Sequence, residues 1–247
     1  MTERPSVALV TGGAGALGAV TGALLARRGH TTYLLDADGA RADAVAAGLA
    51  GQGLAVRGRA LDVTDAAACS ALIAGIAAEH GGIDVLVNMA GVVRNAAFSR
   101  ITAEDFERTL RTHVHGTLHC MQAAGAAMRE RQYGRIVNIS SIAALGSVGG
   151  GAYGAAKGAI ESLSRAAAIE WAPRGITVNC VAPGLIAAGM TLGVPKEFQD
   201  AGVARTPMKR NGTAEEVAHA IAYFASPEAS FVTGQTLFVC GGLSIGF

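Results

Sequence analysis

The chain has 247 residues, of which 51% are hydrophobic and 16% charged, and its formal net charge at pH 7 is +1. This composition excludes an intrinsically disordered chain, because it supplies enough apolar surface to build a core. A net charge so close to zero also argues against a protein that binds nucleic acid or an anionic membrane, since neither would be attracted by the overall field.

Short runs rich in Val, Ile and Leu alternate with Ala-rich segments of helical periodicity. The predicted strands are Val7–Val10, Thr31–Leu35, Leu54–Ala60, Val85–Val87, Ile136–Ile139, Thr177–Val181 and Thr236–Val239. The predicted helices cover about 16–28, 40–50, 65–80, 103–131, 152–172 and 214–225, with Thr64, Thr102 and Thr213 as N-caps. Apolar runs without polar alternation are typical of parallel strands covered on both faces. We therefore expect one α/β domain over residues 1–247, a Rossmann-type doubly wound parallel sheet of about seven strands with helices on both faces.

Residues 184–212 are the one long segment without clear periodicity, and they contain five glycines and two prolines. Segments of this length inside a compact domain are usually functional loops. We expect a substrate lid there, with a surface excursion as the alternative.

The four cysteines, Cys69, Cys120, Cys180 and Cys240, are widely spaced and form no C-x-x-C pair. This spacing favours neither a zinc site nor a disulfide framework. The uncharged stretches 5–26, 136–156 and 175–195 lack a cleavage pattern or are interrupted by polar residues, Gly or Pro. We therefore expect a cytoplasmic protein without a membrane span or a bound metal.

The first predicted strand leads into Thr11-Gly-Gly-Ala-Gly-Ala-Leu-Gly18, which opens a helix. Glycines allow the backbone to approach a diphosphate closely, and a helix N-terminus offers free N–H groups and a positive dipole end. Gly13, Gly15 and Gly18 fit G-x-G-x-x-G in the first strand–turn–helix unit. The sequence therefore predicts a dinucleotide site.

Asp36 ends the second predicted strand, about 20 residues after this loop, where a carboxylate can bind the adenosine ribose hydroxyls. The same carboxylate would repel a 2′-phosphate, so we expect NAD rather than NADP. A carboxylate that only caps its own loop is the alternative, and Arg41 lies nearby in the sequence.

Residues 135–157 run from Arg-Ile-Val-Asn-Ile-Ser-Ser through a glycine-rich connection to Tyr153-Gly-Ala-Ala-Lys157. Tyr and Lys four residues apart share one helix face, so the ammonium could lower the pKa of the phenol. A serine hydroxyl nearby could hold a carbonyl oxygen while the phenol passes it a proton. Together with the dinucleotide loop, this pattern indicates an oxidoreductase.

In these motifs the chain resembles the classical short-chain dehydrogenase/reductase family over nearly its whole length, and most of all its 3-oxoacyl-carrier-protein reductases. The matching segments are Thr11–Gly18, Asp62-Val63, Asn88-Met-Ala-Gly91, the Ser/Tyr/Lys set, Pro183-Gly184-Leu-Ile186 and Thr233-Gly-Gln-Thr236 with Gly241-Gly242. The resemblance implies Tyr153 as acid/base, with Lys157 binding the nicotinamide ribose. The other cofactor contacts that it implies are Gly12, Leu17 and Gly18 at the phosphate turn, Asp62 and Val63 at the adenine, Asn88, Ala90 and Gly91 at the adenosine ribose, and Pro183, Gly184 and Ile186 at the nicotinamide.

Two serines compete for the carbonyl-binding role. The family's strand-end position selects Ser141, whereas its usual spacing from the tyrosine selects Ser140. Adjacent strand residues face opposite sides, so only one can point at the substrate. We predict Ser141, because loop lengths vary more readily than strand ends.

The chain departs from the family pattern at Ala16, Met89, Ala188 and Cys240, and at His113, where an Asn is usual. We assign no catalytic role to His113. The resemblance implies an NAD-dependent enzyme that interconverts a secondary alcohol and a ketone, possibly a 3-hydroxyacyl/3-oxoacyl thioester, as a homotetramer or homodimer. The departures motivate an alternative, a catalytically weak subunit that assembles with an active paralogue.

Overall fold

The central strands of the sheet form from apolar runs that are covered on both faces by helical layers. The computed structural model of the protein describes residues 5–189 and 196–245. The strands are β1 Ser6–Thr11, β2 His30–Asp36, β3 Val56–Ala60, β4 Val85–Asn88, β5 Gly134–Ile139, β6 Ile176–Pro183 and β7 Thr236–Val239. All seven predicted strands are confirmed, with ends displaced by at most two residues.

The strands pair in parallel in the order β3-β2-β1-β4-β5-β6-β7. Strand β1 lies between β2 and β4, with Val10 opposite Leu34 on one side and Val87 on the other. The direction in which strands are added therefore reverses at β1 and β4. In open α/β sheets, the carboxyl ends of strands at such a switch point form the ligand crevice.

The helices follow the predicted segments closely. In the described part of the chain they are α1 Ala16–Arg27, α2 Gly39–Ala50, α3 Ala66–His80, α4 Ala103–Leu110, α5 Gly116–Arg131, α6 Gly151–Trp171, α7 Lys196–Arg205 and α8 Ala214–Phe224. Thr102 caps α4, and Thr213 forms a capping box with Glu216 at α8. None of the helices described here is long and apolar enough to cross a membrane.

Three details differ from the sequence predictions. Thr64 is not an N-cap, because both its N–H and its hydroxyl donate to Asp62 Oδ1, and Asp65 caps α3 one residue later. The segment 103–131 is not one regular helix, because a π-helical turn, Arg111–His115, separates α4 from α5. The supposedly irregular 184–212 contains α7, whose pattern is obscured by Gly202.

Main-chain hydrogen bonds join the two ends of the 184–212 segment. Gly212 donates to Leu185 O over 2.9 Å and accepts from Ala187 N over 2.8 Å. Residues 190–195, in the middle of the predicted lid, lie outside the described residues.

Alternation along the strands divides the core between the two faces of the sheet. Val7 and Leu9 pack with Met121 and other residues of α3, α5 and α6 on one face. Ala8 and Val10 pack with Val217 and other residues of α1 and α8 on the other. All four cysteines are buried and free, with Cys69 Sγ 3.8 Å from Cys120 Sγ. The helices of this single domain cover the two faces of the sheet, so the carboxyl ends of its strands are the place where a site can form.

Candidate active site

The phosphate turn brings three backbone segments so close that side chains do not fit. Gly12 has φ +66°, and a Cβ on it would lie 3.0 Å from the Ala90 main chain. A Cβ on Gly18 would lie 2.3 Å from Gly12 O. Helix α1 begins at Ala16 and has no side-chain cap at Gly15, so its N-terminus can serve an anionic ligand. This cradle fits the diphosphate of a dinucleotide.

Thr11 joins β1 to the loop after β4. Its hydroxyl accepts hydrogen bonds from Met89 N over 3.0 Å and from Ala90 N over 3.1 Å. These bonds fix the close approach of Gly12 to Ala90. We predicted no role for Thr11 from the sequence, although a hydroxyl at the end of the first strand is the signal that could have indicated one.

A cavity of about 770 Å³ opens at the switch point beside this turn. Its walls include six of the predicted cofactor residues: Gly12, Asp36, Asp62, Val63, Ala90 and Gly91. The opposite wall comes from α4 and the π-helical turn and includes Glu104, Glu107, Arg108 and Arg111. No sequence motif predicted that these residues line a cavity, because their pattern is typical of the polar face of a surface helix.

Both aspartates of the cavity are held by main-chain donors. Asp36 accepts from Ala14 N over 3.1 Å and from Asp38 N over 3.2 Å. Asp62 Oδ1 accepts both donors of Thr64. A carboxylate has about four lone-pair sites and each aspartate uses two of them here, so capping a loop and binding a ribose hydroxyl are compatible.

Other predicted cofactor residues have side chains that lie away from this cavity. Asn88 is buried and donates to Asn138 Oδ1 over 2.8 Å, so its side chain belongs to the sheet interior. Ile186 belongs to the core cluster that includes residues of α1 and α8, and Leu17 packs against that cluster. Gly184 closes β6 and has no room for a Cβ, which would lie 2.7 Å from Cys240 Cα. Any cofactor contact by Asn88 would therefore come from its main chain.

The departures from the family pattern are accommodated without strained backbone. Ala16 is exposed at the first position of α1. Met89 and Ala188 pack against the core, and Cys240 Sγ accepts from Ser244 N over 3.4 Å. None of these four residues has positive φ.

Ser141, Tyr153 and Lys157 come together where β5 ends and α6 begins. A Cβ on Gly154 would lie 2.6 Å from Ala143 O, so this glycine lets α6 approach the turn that follows Ser141. The Ser141 hydroxyl is close enough to the Tyr153 phenol to lower its pKa as a hydrogen-bond donor. Lys157 Nζ lies 5.4 Å from the centre of the Tyr153 ring and donates to Ile139 O over 2.6 Å.

Ser140 is engaged elsewhere on α6. It is 1% exposed and donates to Glu161 Oε1 over 2.6 Å. Its hydroxyl is therefore bound to a carboxylate about two helical turns beyond Tyr153.

Burial dominates the titration of the Tyr–Lys pair. It lowers the pKa of Lys157 to about 8. Burial also raises the pKa of Tyr153, opposed by the hydrogen bond from Ser141. The lowering of the phenol pKa that the Tyr153–Lys157 spacing predicts is therefore not found in the chain by itself, because desolvation of the phenol outweighs the effect of Ser141.

His113 lies inside this cluster. Its ring is edge-to-face with the Tyr153 ring at a centroid distance of 5.3 Å. Its Nε2 is 2.7 Å from Val92 O. His115 and His119 are neighbours on α5, but no group of three or more His, Cys, Asp or Glu in the described residues could hold a metal ion.

Known proteins resemble this chain over nearly its full length. A family model described as enoyl-(acyl carrier protein) reductase matches residues 12–244. The subunit BbsD of (2S)-[(R)-hydroxy(phenyl)methyl]succinyl-CoA dehydrogenase from Thauera aromatica is 37% identical over 97% of this chain and 96% of its own. The 3-oxoacyl-[acyl-carrier-protein] reductase FabG of Vibrio cholerae is 36% identical over 98% of this chain and 99% of its own.

Solved structures agree with the fold. Levodione reductase superposes with a TM-score of 0.94 at 28% identity, covering 98% of each chain. The structure of gox2181 gives a TM-score of 0.94 at 32% identity, over 98% of this chain and 97% of that one. From its sheet order, its glycine turn and these relatives, the chain belongs to the short-chain dehydrogenase/reductase family of oxidoreductases, which use nicotinamide cofactors.

Proposed function

We propose that this chain is an NAD-dependent enzyme that interconverts a secondary alcohol and a ketone in the cytoplasm. The observation that carries the proposal is the cluster of Ser141, Tyr153 and Lys157 next to a glycine turn that fits a dinucleotide. The nicotinamide, when bound, supplies or accepts the hydride. Four buried free cysteines suit a reducing compartment.

In the reduction direction, Tyr153 gives its phenolic proton to the carbonyl oxygen, and in oxidation it takes the proton back. Ser141 donates a hydrogen bond to the same oxygen, where negative charge develops. Lys157 supplies a buried positive charge beside the phenol, and its remaining N–H groups can hold the nicotinamide ribose. The phosphate turn, Asp36 and the Asp62–Val63 segment would hold the rest of the cofactor.

The favoured substrate is a 3-hydroxyacyl or 3-oxoacyl thioester. Support comes from the names of two relatives, one a subunit of a dehydrogenase of (2S)-[(R)-hydroxy(phenyl)methyl]succinyl-CoA and the other a 3-oxoacyl-carrier-protein reductase. A screen of acetoacetyl-CoA and simple ketones with NADH and with NADPH tests the proposal. Failure of every carbonyl compound with both cofactors would contradict it.

The second candidate is a catalytically weak subunit that assembles with an active paralogue. It is favoured by one observation, that the BbsD relative is named as a subunit of its dehydrogenase. Calorimetric titration with NADH separates the candidates. Absence of binding at millimolar NADH would favour the weak subunit, whereas micromolar binding with turnover would favour the enzyme.

Cofactor preference depends on Asp36. We expect a higher kcat/KM with NADH than with NADPH, because the carboxylate at the cavity wall repels a 2′-phosphate. Asp36→Ala should reduce the ratio of kcat/KM with NADH to kcat/KM with NADPH by about tenfold or more, mainly through the KM values for the two cofactors. A native enzyme that prefers NADPH would show that Asp36 only caps its loop.

Serine identity can be tested by two alanine variants. Ser141→Ala should lower kcat roughly 100-fold, because a donor to the developing oxyanion is lost. Ser140→Ala should leave kcat within a few-fold and instead reduce stability by about 1–3 kcal/mol, because Glu161 loses a buried partner. Urea unfolding and steady-state rates measure both effects, and the reverse pattern would select Ser140.

We also propose a homotetramer or homodimer that assembles through α5, α6 and the C-terminal strand. In the described residues, β7 is an edge strand of the sheet, and Ile169 on α6 and Phe231 before β7 are 77% and 102% exposed. Open edges and exposed large apolar side chains are typical of association surfaces. We expect light scattering at micromolar protein to give two or four times the chain mass, and a monomer would contradict the proposal.

A further inference from the structure

His113 is a buried imidazole that the proposed chemistry does not use. It lies in the π-helical turn between α4 and α5 and is 1% exposed. Its Nε2 is 2.7 Å from Val92 O and 3.1 Å from Val92 N, and we assign the proton to Nε2 as donor on the shorter of the two contacts. Nδ1 is buried and has no partner among the described groups. An apolar ring would fill this position without leaving a nitrogen unsatisfied.

The ring is wedged between the cofactor wall and the phenol. A Cβ on Gly91 would lie 2.2 Å from His113 Cε1, so the main chain of the wall rests directly on the imidazole. Tyr153 meets the ring edge-to-face at 5.3 Å and 77°. One side chain therefore contacts both the cavity wall and the proposed acid/base.

His113 cannot act there as a cation. Burial, followed by the charge of Lys157, lowers its pKa to about 3. Lys157 on α6 and the Ser141 hydroxyl are the other groups that face Tyr153. A neutral ring adds no charge to this cluster, so its contribution is contact and solvent exclusion.

We propose that His113 is a positioning residue: its ring edge holds the Tyr153 phenol against Ser141 and keeps water from it, while Nε2–H ties the ring to Val92. The wall at Gly91–Val92 and the phenol are thereby held in one arrangement. The inference rests on the proposed function only in taking Tyr153 as the acid/base.

The test is the titration of Tyr153 in the cofactor-free protein, followed by NMR of 13Cζ-labelled tyrosine and assigned with Tyr153→Phe. Burial raises the pKa of this phenol, so removing the ring with His113→Ala should admit water and move the Tyr153 midpoint to lower pH, by about one unit. His113→Phe keeps an aromatic edge and should keep the midpoint near that of the native protein. His113→Asn keeps a donor for Val92 O but has no ring, so it should lower the Tyr153 midpoint as much as His113→Ala does. It replaces His113→Ala in the test if that variant does not fold.

His119→Ala is the matched control. His119 also bonds main chain through a ring nitrogen, with Nδ1 2.9 Å from Val63 O, but its ring contact is with His115. We expect no shift of Tyr153 in this variant. An unmoved Tyr153 midpoint in both His113→Ala and His113→Asn, or an equal shift in His113→Phe, would overturn the inference.

Kinetics with acetoacetyl-CoA and NADH supply the second readout. His113→Ala should lower kcat about tenfold with KM within a few-fold, and His113→Phe should restore most of the rate. Equal losses in the two variants would also overturn the role of the ring. The titration needs no substrate, so its outcome is separate from that of the proposed function, which is tested by the activity of Tyr153→Phe.

Discussion

Tyr153→Phe should reduce turnover by at least about 100-fold, because the variant keeps the ring and loses the only hydroxyl proposed to exchange a proton with the substrate. The ring contacts with His113 and Lys157 remain possible. NADH affinity should therefore stay within a few-fold. Steady-state rates with acetoacetyl-CoA and calorimetric NADH titration measure the two quantities.

The Tyr133→Phe variant is a suitable control for Tyr153→Phe. Tyr133 lies at the amino-terminal side of the sheet beside Arg135, away from the site. It should keep native turnover. Substantial activity in Tyr153→Phe, or an equal loss in Tyr133→Phe, would exclude Tyr153 as the acid/base.

Lys157→Met should impair both rate and cofactor binding, yet it should not destabilise the fold at pH 7. Burial lowers the pKa of Lys157 from 10.5 in the unfolded chain to about 8 in the folded one. Between these values the unfolded chain binds more protons, so stability should rise with pH across this window. At pH 7 the protonated amine is disfavoured by about 3 kcal/mol, offset in part by its bond to Ile139 O.

Urea unfolding at pH 7 and pH 10 measures this effect. The native protein should gain stability between the two pH values relative to Lys157→Met, because the other titrating groups are common to both. If Lys157→Met kept native NADH affinity, the proposed binding of the nicotinamide ribose by the Lys157 ammonium would be contradicted. If the stability of Lys157→Met depended on pH in the same way as that of the native protein, the proposed desolvation of the Lys157 amine would be contradicted.

The strand positions and the glycine turn were predictable because their signals are local. Continuous apolar runs indicate strands covered on both faces, and Gly12 and Gly18 stand where no Cβ fits. The capping box at Thr213 was predictable for the same reason, since both of its bonds join residues three apart. The family resemblance supplied the roles of the remaining motif residues.

Side-chain direction was harder to predict. The sequence placed Asn88 at the ribose, but its amide pairs with Asn138 of the neighbouring strand, a contact fixed by sheet register. Likewise, Arg108 and Arg111 line the cavity because of the place where α4 packs. No local sequence pattern predicts that packing. The helix α7 was missed because its turns carry few apolar residues and a glycine.

The π-helical turn explains why His113 could not be interpreted from sequence. The turn Arg111–His115 interrupts the helix predicted over 103–131, and His113 within it is buried, which helical periodicity could not indicate. The departure from the family's Asn was visible in the sequence, but the contact between His113 and Tyr153 was not.

Transfer of deuterium from NADH labelled at nicotinamide C4 tests the central claim most directly. The enzyme should be incubated with acetoacetyl-CoA and a panel of ketones, using both C4 epimers of the labelled cofactor, and the products analysed by mass spectrometry. We expect one epimer to deliver deuterium to the carbinol carbon of at least one product, with no transfer in Tyr153→Phe. Binding of NADH without transfer to any carbonyl compound, or product that lacks the label with both epimers, would contradict the account.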